Sequence, residues 1–117
     1  MSVKGPLRHI AITHVAAHCA AEFDAMVREV IVPLVGRTRP HVADEWSYLV
    51  PDKQPGAQGE LVYAFLFYGD ASLDEWELEP MFVEGHGQDE GRRLNERFES
   101  LLIRQEAHSF SLEAQQR

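Results

Sequence analysis

Six histidines stand in this chain, among 19 acidic and 11 basic residues. Histidine's ordinary pKa lies near neutrality, which makes it the usual carrier of protons in catalysis. His9 opens an alternating segment in which His9, Ala11 and Thr13 share one face. Small residues on an inward face leave room for a pocket beside the imidazole. His86 is flanked by Gly85 and Gly87, which would let it swing towards the same mouth. His9 and His86 are therefore the candidate general acid/base pair. Thr13, Phe23, Tyr68, Trp76, Phe82 and His108 are the candidate substrate contacts, with Tyr68 and Trp76 as wall or hydrogen-bond donors. The alternative is a hydrogen-bonded core His9 and a solvated His86.

A second polar group is expected where the end of the first strand meets the start of the last, from His14, His108 and Tyr63. It would serve substrate binding or an interface. No metal site is expected: His14 and His18 lack the intervening glutamate of HExxH, and Glu77, Glu79, Glu84 and His86 have no diagnostic spacing. Gly85-His86-Gly87 follows no strand, so it is not a phosphate-cradling loop. The lone Cys19 fits the apolar stripe of a helix and can form neither an internal disulfide nor a CxxC pair. Trp46, Tyr48, Tyr63, Phe65 and Phe67 suffice to line a cavity for a flat, apolar ligand, or to build a dimer core.

The elements that would hold these residues follow from hydrophobic period. Leu7 to Val15 alternates as a strand. His18 to Val35 reads as a helix, with Ala20, Phe23, Val27, Ile31 and Leu34 in one stripe. Pro33 should kink or end that helix, and Gly36 should stop it. Asp44 to Val50 is a second strand, Pro51 to Glu60 a loop, and Leu61 to Tyr68 a third strand. Ser72-Leu73-Asp74-Glu75 has capping-box spacing and opens a short helix that meets Pro80. A longer helix follows over Gln88 to Ile103, then a strand over Glu106 to Leu112, and a polar tail over Glu113 to Arg117 that should fray.

The chain has 117 residues, the length of one domain, 1–117. Apolar residues make up 44% and charged residues 26%, the balance of a folded chain rather than a disordered one. The net charge of −8, with no Lys/Arg block, opposes binding to nucleic acid or to an anionic membrane surface. No apolar run approaches the length that spans a bilayer, and Met1 to Pro6 has no signal-peptide core. A cytoplasmic protein is expected.

The order β-α-β-β-α-β points to an α+β, ferredoxin-like four-stranded antiparallel sheet with the first and third strands at its centre. Two helices cover one face of such a sheet. Yet Val62, Ala64 and Leu66 make the third strand apolar on its other face too. Burying that face, at about 25 cal/mol per Å2, needs a further layer, and the economical source is a second copy in a two-fold homodimer.

On element order, length and this two-sided strand, the sequence resembles the dimeric α+β barrel superfamily. That group includes small polyketide cyclases of the olivetolic acid cyclase kind, cofactor-free antibiotic-biosynthesis monooxygenases and stress-responsive barrel proteins. Arg8-His9-Ile10-Ala11-Ile12 is similar to the opening strand of the cyclases, which carry a histidine there. Asp74 to Phe82, and Phe98-Glu99-Ser100-Leu101-Leu102-Ile103, are similar to their second helical region and its run into the last strand. The resemblance implies an enzyme without metal or organic cofactor, in which a histidine assists proton transfer or cyclisation on a polyketide-like or aromatic enolisable substrate. The alternatives it admits are a cofactor-free monooxygenase, as runner-up, and a non-catalytic ligand- or haem-binding barrel of the stress type. The chain departs from the cyclases where they carry a tyrosine and then His-Pro-x-His, whose second histidine is catalytic. Here Trp76 and Glu79-Pro80-Met81-Phe82 stand in those places, and His86 lies one turn on.

Overall fold

The computed structural model describes residues 5–52 and 59–111. Strand β1 (Leu7–Ala16) alternates as its sequence predicts, with His9, Ala11, Thr13 and Val15 buried and the residues between them half-buried. A 3-10 turn (Ala17–Cys19) leads into helix α1 (Ala20–Met26), a π-helical turn (Val27–Ile31) and helix α2 (Val32–Thr38). The helical path therefore passes both expected stops. Pro33 withholds an N–H and crowds the carbonyl four residues back, and the wide π turn before it absorbs that defect. Beyond Gly36, the Thr38 hydroxyl donates to the Leu34 carbonyl and Arg39 N–H to that of Val35, each at 2.8 Å.

Strand β2 (Trp46–Leu49) is shorter than expected, because Glu45 N–H turns back to the Val42 carbonyl. Of the expected loop over Pro51 to Glu60, residues 53–58 lie outside the described residues. Strand β3 (Glu60–Tyr68) follows. In place of the capping-box helix stands a 3-10 turn, Leu73–Trp76; Ser72 occupies its N-cap position without a side-chain bond. Helix α3 (Leu78–His86) holds Pro80 in its first turn, where the missing N–H leaves no helical bond unmade. Gly87, at φ +88°, turns the chain into helix α4 (Gln88–Ser100), a conformation that glycine adopts without strain. α4 stops three residues before the expected Ile103, and strand β4 (Leu102–Ser109) starts earlier than the expected Glu106. Leu101 N–H closes the helix on the Phe98 carbonyl, and Leu102 already pairs with Val15. Leu112 and the tail 113–117 lie outside the described residues.

The strands form one antiparallel sheet in the order β2-β3-β1-β4. The fold is α+β and compatible with a ferredoxin-like arrangement, with β1 and β3 central. Register assigns the two faces. His9, Ala11, Thr13 and Val15 lie opposite Phe67, Phe65, Tyr63 and Leu61, on the side where the buried residues of the helices complete the core. Ile10, Ile12 and His14 lie opposite Leu66, Ala64 and Val62 on the other face. That face is partly open: Val62 is 46% exposed and Leu49 47%. Among the described residues, no helix is long and apolar enough to cross a membrane.

The α3–α4 hairpin packs at close range. A Cβ on Gly91 would sit 2.6 Å from the Phe82 carbonyl oxygen and from Val83 Cα. A Cβ on Gly85 would collide with Leu34 Cδ1. Gly85 is thus a helix-packing residue and does not loosen the chain around His86.

Candidate functional site

Along β1 the helix-facing residues Ala11 and Thr13 are small, unlike Tyr63, Phe65 and Phe67 beside them on β3. Ala11 pairs directly with Ala107, and Thr13 with Gln105. The bulky groups above them, Met81 from α3 and Phe98 from α4, do not fill the gap. A cavity of about 600 Å3 remains between sheet and helices, within the size range of small-molecule sites. Gln105 and Ala107 both line it and are exposed, so it opens on the β4 side.

Its walls are mainly apolar and include five aromatic side chains, Trp46, Phe65, Phe67, Trp76 and Phe98. The rings order one another. Trp46 stacks on Phe65 with centroids 6.3 Å apart, and Phe67 meets Trp76 at 4.8 Å. Trp76 is 6% exposed, and among the described residues its indole Nε1–H has no hydrogen-bond partner. A buried donor without an acceptor costs about 1–3 kcal/mol.

Polar groups gather where the start of α3 lies beside the end of α4. The Asn95 amide, 8% exposed, donates from Nδ2 to Glu79 Oε2 at 3.2 Å and to Glu99 Oε1 at 3.0 Å. One amide nitrogen thereby orients two carboxylates, each with lone pairs left over. Glu77 lines the same end. On the sheet, Gln105 Nε2 donates to Thr13 Oγ1 at 2.8 Å, which satisfies the fully buried threonine.

His9 is 4% exposed, and both its ring nitrogens are engaged. Nε2 donates to the Ala71 carbonyl at 2.9 Å; in that tautomer Nδ1 accepts from the Ser109 hydroxyl at 2.7 Å. The ring ties β1 to β4 and to the segment that leads into Trp76, and it does not line the cavity. His86 sits exposed at the end of α3, where Arg37 Nη2 donates to its Nε2 at 3.4 Å and Phe82 lies 6.5 Å away, centroid to centroid. No hydrogen bond or ring contact joins it to His9. Of the other expected contacts, Trp76 lines the cavity. Thr13 meets it through Gln105. Phe23, fully buried, supports its wall through Phe98 and Phe65 at 5.6 and 6.4 Å. Phe82 is fully buried in the core, and Tyr68 ends β3 with its N–H donating to the Glu45 carbonyl.

The expected grouping of His14, His108 and Tyr63 does not form. β4 begins at Leu102, so His14 lies opposite Arg104, and His108 lies four residues away along β1, opposite Ile10. Tyr63 is on the other face of the sheet. His14 Nδ1 donates instead to Glu60 Oε1 at 2.9 Å, while His108 Nε2 lies 3.5 Å from Glu106 Oε2. The acids weighed as metal ligands also disperse, since Glu84 pairs with Arg39 at 2.6 Å. Among the described residues, no three His, Cys, Asp or Glu converge as a metal site.

Asn95, Glu99 and Gln105 were not recognisable from residue type. Asn95 and Glu99, four apart on a helix, carry a local signal, but it is the α3–α4 pairing that brings them to Glu79. Near β2, burial raises the Tyr48 phenol well above its ordinary pKa, and its hydrogen bond to Asp24 Oδ1 at 2.8 Å adds to this. Burial also raises Tyr63, with a smaller contribution from the Asp24 charge.

No protein-family model, curated protein or solved structure matches the chain.

Proposed function

We propose that the protein is a small-molecule enzyme that needs no metal or organic cofactor, and that moves a proton on an aromatic, enolisable substrate held in the cavity. The observation that carries this is the unpartnered indole N–H of Trp76 within an aromatic wall. A substrate carbonyl at that wall takes up the N–H, and the bond strengthens as the oxygen gains charge in an enolate. The aromatic walls exclude water from the developing charge. Among the described lining residues the proton acceptors are carboxylates, and Glu79 and Glu99 are the two that Asn95 orients. His9 acts as a positioning residue, because its hydrogen bonds fix the segment that carries Trp76.

The open sheet face belongs to the same proposal. Ile10, Ile12, Ala64 and Leu66 form an apolar strip on it, and a second copy of the chain covers that strip in a homodimer.

A second reading is non-catalytic binding in the same cavity. It is favoured by one observation, that no histidine lines the cavity and His9 has no free ring nitrogen. Deuterium uptake from D2O into 4-phenyl-2-butanone separates the two. An enzyme accelerates exchange at the carbons flanking the carbonyl and loses about a hundredfold or more of that rate in Trp76→Phe, the weight of one oxyanion donor. A binding protein leaves exchange at the buffer rate.

A further inference from the structure

The charges at the cavity are one-sided. Glu77, Glu79 and Glu99 line it, and the lone basic lining residue is Arg104. Register removes Arg104 from the account: it lies opposite His14, on the far face of the sheet, and its Nη2 points to Glu60 Oε1 there at 3.6 Å. Among the described residues, no ion pair reaches Glu77, Glu79 or Glu99. Arg39, a half-buried cation, is occupied by Glu75 and Glu84.

Uncompensated carboxylates beside aromatic faces attract one kind of group. A protonated amine gains Coulomb energy from the acids and a cation–π contribution from the rings, while a carboxylate in the same place is repelled. Trp76, whose buried indole N–H has no acceptor among the described residues, lines the same cavity. We infer that the ligand of this cavity is an aromatic amine in its ammonium form, with the ammonium at Glu79 and Glu99 and an oxygen acceptor towards Trp76. This rests on the cavity being the site proposed above, and it adds the charge class of the ligand.

Both tryptophans of the chain, Trp46 and Trp76, line the cavity, so indole fluorescence reads its occupancy. Three probes of one shape suffice: phenethylammonium, 3-phenylpropanoate and the uncharged 4-phenyl-2-butanone. Phenethylammonium is expected to bind about tenfold or more tightly than 3-phenylpropanoate at low ionic strength, the gap shrinking severalfold at about 0.5 M salt. Glu79→Gln with Glu99→Gln is expected to erase the gap, since glutamine keeps the shape without the charge. Should that double variant fail to fold, the salt dependence on the unaltered protein decides alone. Binding of the ketone with no preference for the ammonium overturns the inference and leaves the cavity as the site. Preference that survives the double variant, or is insensitive to salt, also overturns it. Failure of all three probes overturns it together with the proposed site.

Discussion

His9 Nε2 donates to the Ala71 carbonyl at 2.9 Å, so a histidine near the start of the first strand anchors the chain just after the third. Five residues on from Ala71 stands Trp76, whose indole walls the cavity. With Nδ1 on Ser109, 100 positions away, the ring fastens three segments at one end of the sheet at once.

Replacing His9 by alanine removes both bonds and leaves a void under a buried position. A loss of about 2–4 kcal/mol in unfolding free energy is expected, measured by urea denaturation. Deuterium exchange into the ketone, per folded molecule, should stay within about threefold. A stable His9→Ala protein with exchange reduced a hundredfold would instead put the imidazole in the chemistry, as the cyclase resemblance implies.

The alternation of β1 and β3, their central place and the room left by Ala11 and Thr13 were all legible in the sequence. Alternation is a local property, and small residues on a buried strand leave space whatever covers them. The polar end of the cavity was not legible. Glu79 is separated from Asn95 by a helical hairpin whose register depends on the Gly87 turn and on the close contact at Gly91. From spacing alone such glutamates read as a solvated face. The His14–His108 grouping failed for a related reason. Moving the start of β4 from Glu106 to Leu102 slides every cross-strand neighbour, and only pairing with Val15 sets that start.

Tyr48 makes stability fall at high pH. Burial, and then the hydrogen bond to Asp24, raise its pKa above the ordinary 10.0, so the folded state retains a proton that the unfolded chain releases. The stabilisation is whole below the unfolded value and is lost as pH rises through about 10 and beyond. Urea melts from pH ~8 to ~11 should show a decline that is shallower in Tyr48→Phe. An identical decline in both proteins would show that the phenol does not titrate differently on folding.

The partly open sheet face predicts association. Val62, 46% exposed beside the Ile12–Ala64 pair, lies within the strip that a second copy would cover. Sedimentation should give about twice the 13.3 kDa chain mass for the unaltered protein. Val62→Lys should shift it towards monomer, since it buries like charges across a two-fold axis. A monomer at every concentration would remove the dimer from the proposal.

The most direct test of the cavity is the Trp76 indole N–H itself. With two tryptophans in the chain, a nitrogen–proton correlation spectrum holds two indole signals, and Trp76→Phe assigns them by deleting one. Titration with 4-phenyl-2-butanone should move the Trp76 signal downfield and saturate, as a buried donor gains an acceptor. A Trp76 signal that stays in place while the ketone saturates a site elsewhere would contradict a carbonyl held at this wall, and with it the proposed chemistry.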